Sequence, residues 1–188
     1  MITIVEKDRV HIAVPILYWA DLGSALLRKE DITKSENVPI WKISGVSQCI
    51  MGGWHSNRVN DIVRYEKKLV GKRISSGSLY KSTLPKIEEL INEDPLVKRN
   101  PGEKSNTFVI ACKNKAYELC NGLVLEVEEY ECESFYKDVA LSVLEKDKEL
   151  SVDEKIKKIG EIGGEIYGTA LLPMVVMDTK TQQLRIVS

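Results

Sequence analysis

Histidine and cysteine are scarce in this chain: two histidines and four cysteines among 188 residues. The cysteines (Cys49, Cys112, Cys120 and Cys132) show no Cys-x-x-Cys spacing, so the paired ligands of a structural zinc site are missing. They read instead as buried free thiols in a reducing compartment. No charge of one sign dominates either. Lys and Arg number 27 against 28 Asp and Glu, a net charge of −1, without the basic surplus that a nucleic-acid binder usually carries. No apolar run approaches the roughly 18 residues of a membrane span. The longest, Ile12 to Ala20, is interrupted by Pro15. The opening MITIVEKDRV lacks the basic start and apolar core of a signal peptide. These absences predict one soluble, cytoplasmic domain over residues 1–188, with no cofactor, no membrane and no nucleic-acid partner.

What is present can build a core. Hydrophobic residues make up 43% of the chain and charged residues 29%. Thr3-Ile4-Val5 and Val10 to Val14 flank a polar turn at Lys7-Asp8-Arg9, which predicts a hairpin ending near Pro15. Pro39 to Ile43 and Gln48 to Gly52 predict a second strand pair around Ser44-Gly45, after a charged loop at Arg28 to Asn37. Helical spacing then places Ile62, Val63, Leu69 and Val70 on one face, until Gly71 and the Ser75 to Ser78 cluster break it. A second helix is expected from Thr83, with Pro85 in its first turn, before a loop at Asn92 to Asn106. Thr107 to Cys112, Ala116 to Cys120 and Leu123 to Val127 read as strands, the last two joined by the hairpin signal Asn121-Gly122. Two helices follow, Ser134 to Lys146 and one opened by the capping box Ser151 to Glu154. Leu172 to Asp178 and Gln183 to Val187 close the chain as a hairpin. Strands alternating with helix pairs predict an α+β fold, an αββα sandwich of two facing antiparallel sheets with helices outside.

Several residues are candidates for chemistry, each with a plainer alternative. His55 could form a dyad with Cys49 or Cys132; it also sits where Ser56 or Asn57 would cap a helix. His11 falls in a strand and reads as packed. Glu126, Glu128, Glu129, Glu131 and Glu133 could offer oxygen ligands to a cation, or form a solvated edge leading to a helix N-terminus. Gly160, Gly163 and Gly164 lie within helical pattern and predict close helix packing rather than a phosphate loop. Tyr18, Trp19 and Leu22 follow Pro15 as a candidate partner or subunit surface.

The element order and four motifs resemble the proteasome β-subunit and bacterial proteasome-like peptidase family, N-terminal-nucleophile hydrolases. The motifs are Thr3-Ile4-Val5 followed by VHIA; Pro39-Ile-Trp-Lys-Ile43 followed by Cys49-Ile-Met-Gly-Gly53; YELCNG followed by VLEVEE; and Gly164-Glu-Ile-Tyr-Gly-Thr169, which is similar to the family's R-D-x-Y-S-G. The resemblance implies an N-terminal threonine whose hydroxyl attacks a carbonyl while its own amine acts as base. It further implies a lysine, an aspartate and a late Asp/Ser pair around it, and a Gly-Gly turn stabilising the oxyanion.

This sequence departs from that plan. The nucleophile position falls on Ile2, or alternatively on Thr3; the lysine falls on Pro39. The second-strand aspartate falls on Pro15 or Leu17, and the late pair on Glu165 and Gly168. Only the Gly52-Gly53 turn matches outright. Ile2 is bulky enough to block removal of Met1, and an amine on Met1 cannot serve Thr3 as base. The expectation is therefore a proteasome-like protein without threonine-peptidase chemistry, an assembly or ligand-binding subunit. The alternative is an active peptidase or amidohydrolase using Thr3 or another nucleophile. The resemblance also implies homo-oligomers, with Trp19, Trp41 and Trp54 near surfaces a monomer would expose, and allows a further protein partner.

Overall fold

The computed structural model describes residues 1–16, 38–54, 57–71, 73–95, 97 and 107–188. The chain opens with the predicted hairpin, β1 (Ile2–Val5) and β2 (Val10–Pro15). β3 (Ile40–Lys42) and β4 (Cys49–Trp54) form the next pair, followed by α1 (Asn57–Tyr65). One helical passage then runs through α2 (Ser76–Ser78), a π turn at Leu79–Thr83 and α3 (Leu84–Glu93). β5 (Thr107–Cys112), β6 (Lys115–Cys120), β7 (Leu123–Val127) and β8 (Tyr130–Cys132) precede α4 (Lys137–Lys146) and α5 (Val152–Tyr167). β9 (Met174–Asp178) and β10 (Leu184–Val187) end the chain.

The ten strands form two antiparallel five-stranded sheets, ordered β10-β9-β2-β1-β8 and β3-β4-β5-β6-β7. Alternation along each strand gives both sheets two apolar faces. Ile12, Val14, Ile50, Val109, Ala111 and Val175 pack between the sheets. Ile110, Phe108 and Met51 face α1 and α3, while Ile2, Ile4 and Val176 face α4 and α5. This is the expected αββα sandwich. Asn121 and Gly122 turn with φ of 50° and 74°, the left-handed pair that a two-residue hairpin needs. Ser151 caps α5 through its hydroxyl and the Glu154 carboxylate. Gly160 and Gly163 permit the close packing expected of them: a Cβ on either would lie 2.5 Å from a Leu172 or Leu171 carbon.

Several expectations need correction. Cys49 and Cys112 face each other across β4 and β5 and are joined by a disulfide; only Cys120 and Cys132 are free thiols. The cysteines therefore no longer argue for a reducing compartment. Leu69 and Val70 are buried, but in a turn after α1 has ended at Tyr65. The Ser75 to Ser78 cluster starts helix rather than breaking it, because Ser75 caps α2 reciprocally with Ser78. Pro85 does lie in the first turn of its helix, as expected, with Thr83 as N-cap, although that helix continues directly from the π turn. Its ring and missing N–H are accommodated there by the widened ladder. The short β8, hidden in the glutamate run, pairs with β1. Trp41 is 8% exposed, under the Arg64 guanidinium 4.9 Å from its ring, so it offers no monomer patch. Leu17, Tyr18, Trp19, Leu22, the Arg28 to Asn37 loop, His55 and Ser56 lie outside the described residues. So do the side chains of Trp54 and Asn57 and most of the loop after Pro95.

The sheets are stapled at one end. The buried Thr179 hydroxyl accepts from the Val10 N–H at 3.0 Å and donates to the Lys113 carbonyl. Asn114 Nδ2 donates to Lys7 O (3.2 Å) and Gln182 Nε2 to Cys49 O (2.9 Å). The Val10 bond holds Thr179 to its own sheet, and the bonds to Lys113, Lys7 and Cys49 run from one sheet to the other, beside the disulfide.

Candidate functional site

Several of the predicted positions gather at the opposite end, where Met1, just ahead of β1, meets β4. Here the chain does something the sequence did not predict. Ile2 is fully buried and points out of the sandwich, towards α4 and α5. The side chain facing the other sheet is Met1. A Cβ built on Gly52 would lie 2.6 Å from Met1 Sδ and 3.0 Å from Ile12 Cγ2, so the thioether rests directly on the glycine.

Met1 is 1% exposed and extends β1 beside β8. Its amine donates to the Glu133 carbonyl at 2.7 Å, and the Glu133 N–H donates back to the Met1 carbonyl at 3.0 Å. Burial pushes the amine down to about 5, against the pull of Cys132 and Glu133.

Thr3 lies on the inner face as well, but in the middle of a strand. It is buried, opposite Ile12 on one side and Glu131 on the other. Its nitrogen is a peptide N–H within β1 and carries no free amine.

Gly52 and Gly53 do not form a turn. Both lie inside β4, opposite Val109 and Phe108, and the Gly53 N–H donates to the Pro39 carbonyl at 2.9 Å. The expected oxyanion turn is thus corrected to strand, with the Gly53 donor already engaged. Glycine is required there by crowding on both faces. A Cβ on Gly53 would stand 2.0 Å from Asn60 Oδ1 and 2.9 Å from Phe108 Cε1.

Pro39 is buried beside this strand and supplies only its carbonyl. Pro15 pairs with Met174 in β2 and supplies no carboxylate. Glu165 is exposed on α5, and Gly168 is that helix's left-handed C-cap (φ 63°) and is also exposed. The structure therefore brings Met1, Thr3, Pro39 and Gly52-Gly53 to one end of the sandwich and leaves Glu165 and Gly168 on its surface.

A polar group that sequence reasoning missed also faces this end. Ala116, Glu118 and Cys120 alternate inward along β6, and Glu118 is only 5% exposed. Burial pushes its carboxyl above the usual range, more than its hydrogen bond with Cys120 holds it down, with Glu133 and Glu131 adding to the rise. Lys137 Nζ bridges Glu131 at 2.8 Å and Glu133 at 3.7 Å. The available signal was the lone carboxylate on the apolar face of KAYELC.

The free thiols are not activated. Burial pushes Cys132 up to about 11, and burial with the Glu118 charge does the same to Cys120. Cys49 is committed to the disulfide. Among the described residues no three His, Cys, Asp or Glu side chains converge on a metal position. Glu126 pairs with Lys115 instead (2.7 Å). His11 packs on the outer face of its sheet, within 2.9 Å of Glu6 and 3.2 Å of Arg185.

Glu118 makes a pH prediction. Between the ordinary carboxylate range and its raised value, the folded state holds a proton that the unfolded state has lost. Its contribution to stability therefore falls as pH rises through that window. Glu118→Gln removes this dependence. Urea unfolding from pH 4 to 8 should show the variant gaining on the wild type as pH climbs above about 4.5, the carboxyl's ordinary value. A stability difference that stays flat across that range would contradict the assignment.

No family model matches the chain, and no curated protein does. Solved structures do. Thiobacillus denitrificans BPH in complex with epoxomicin superposes with a TM-score of 0.66 at 12% identity, covering 100% of this chain and 98% of that one. A second structure of Thiobacillus denitrificans BPH gives 0.65 at 13%, with the same coverage. The chain shares their fold. Identity this low shows the fold and nothing finer.

Proposed function

We propose that this chain is a proteasome-like sandwich protein without threonine-peptidase chemistry, acting as a self-associating assembly or ligand-binding subunit. The observation that carries this reading is the thioether of Met1 on Gly52: the side chain that the start of β1 sends between the sheets carries no hydroxyl. Ile2 turns its back on that place. Thr3 reaches the inner face, but only as a mid-strand residue whose nitrogen is an amide. A free amine at Thr3 would require loss of Met1 and Ile2, both fully packed. With Pro39 in place of the lysine, nothing on the described residues generates an alkoxide for an oxyanion donor to serve. The structural likeness to a protein crystallised with epoxomicin, a proteasome inhibitor, supports the family resemblance and supplies a reagent. Among the described residues no helix is long and apolar enough to cross a membrane. The near-neutral charge balance supports a protein partner over a nucleic acid.

The test combines intact mass after incubation with epoxomicin and a fluorogenic peptide panel, on wild type and Thr3→Ala. The expected result is no adduct and no turnover above buffer for either protein. Turnover sensitive to epoxomicin that disappears in Thr3→Ala would establish the active-peptidase alternative.

A further inference from the structure

The net charge of −1 conceals a separation of charge across one sheet. The strands β3 and β7 are the two edges of the β3-β4-β5-β6-β7 sheet, and each has one strand neighbour among the described residues. The hydrogen-bond register links their positions. Lys42 lies opposite Ile50, Ile50 opposite Ala111, Ala111 opposite Ala116, and Ala116 opposite Val127. A single row across the sheet therefore runs from Lys42 to Val127, which is flanked by Glu126 and Glu128. Four interstrand spacings separate the two ends, about 19 Å.

The β3 end of that row is basic. Lys42 is exposed, and Lys68 lines the same shallow depression, with Trp41, Ile43 and Leu69 around it. Lys67 is exposed beside it. The acids and bases nearby are already matched within the chain, Glu66 by Lys86 and Arg64 by Asp61. The β7 end is acidic. Glu128 and Glu129 are exposed in the β7–β8 turn, next to Glu126. On β7 itself Leu123 and Leu125 are 52% and 49% exposed, an apolar strip on an open strand edge.

The two edges cannot satisfy one another within a molecule, because the whole sheet lies between them. A second copy displaced along the hydrogen-bonding direction and turned by the accumulated twist of the sheet brings them together at the same level. Edge strands carrying apolar side chains favour such pairing, and matched opposite charges set its register. We propose that the basic β3 edge (Lys42, Lys67, Lys68) docks on the acidic β7 edge (Glu128 and Glu129, with Leu125; Glu126 is already paired with Lys115) of a second copy of this chain. The contact is head-to-tail: each copy presents one face of each kind. This rests on the self-association proposed above and specifies its surface.

Sedimentation velocity on the full chain tests it, at about 50 and about 300 mM salt. Lys67→Glu/Lys68→Glu makes both edges acidic; Glu128→Lys/Glu129→Lys makes both basic. Wild type should associate at low salt, with affinity falling roughly tenfold or more at the higher salt. Each double variant should stay monomeric alone while keeping the wild-type circular dichroism and melting midpoint. An equimolar mixture of the two should associate again, since every contact is then acid against base. A wild type that is monomeric at low salt overturns both this interface and the self-association. A wild type that associates without regard to salt, or variants that associate alone, overturns the interface and leaves self-association standing.

Discussion

A Cys49→Ala/Cys112→Ala variant is expected to be less stable than the oxidised protein by about 4 kcal/mol. The disulfide closes a loop across a sequence separation of 63, and it is this restriction of the unfolded chain that sets the size of the effect. For a domain of this length the melting midpoint should fall by roughly 12 °C. Urea unfolding with and without reductant measures it. Reductant should bring the wild type to nearly the variant's stability, and should leave the variant unchanged. A variant within about 1 kcal/mol of the oxidised wild type would mean that the reduced, unfolded chain is already restricted near these positions.

Gly53→Ala is expected to cost about 3 kcal/mol, at the upper end of what overpacking a core does. The added methyl would stand 2.0 Å from Asn60 Oδ1 and 2.9 Å from the Phe108 ring, within a strand paired on both sides. Asn60 sits on α1 and is buried, so it cannot swing into solvent to make room. A double-mutant cycle separates clash from mere loss of glycine. Asn60→Ala in the Gly53→Ala background should recover part of the loss, whereas Asn60→Ala alone should destabilise. If Gly53→Ala unfolds at the wild-type urea concentration, the fit of α1 against β4 is looser than these distances require.

The architecture was legible because its local signals agreed. The apolar runs around VHIA and TFVIAC, the Asn121-Gly122 turn and the Ser151 capping box each fix an element without reference to the rest of the chain. Errors arose where a residue's role depends on a distant partner. Leu69 and Val70 continue a helical period, yet they are buried by packing after α1 has ended. Ser75 to Ser78 has the composition of a loop and the geometry of a cap. β8 is three residues long, and only β1 makes it a strand. The disulfide has no spacing signature, since its cysteines are neighbours only through the pairing of β4 with β5.

The site was less legible than the fold, for a related reason. The strand pair that carries Pro39 and Gly52-Gly53 was legible, and the structure sets Gly52 against Met1. Which side of a strand a residue faces reverses with a shift of one position: Ile2 faces the helices, and Met1 is the side chain that faces the other sheet. A Gly-Gly pair reads as a turn in sequence; here the pair is a strand stripped of side chains so that Met1 can lie on one face and Asn60 on the other.

The one-sided stapling of the sandwich gives its breathing a direction. Thr179, Asn114 and Gln182 tie the sheets at one end, while among the described residues the far end is held by apolar contact around Met1 and Ile12. Opening of the sandwich should therefore begin around Met1 and reach Thr179 last, so amide exchange between the sheets should be graded along the strands, fastest near Ile12 and slowest near Val10.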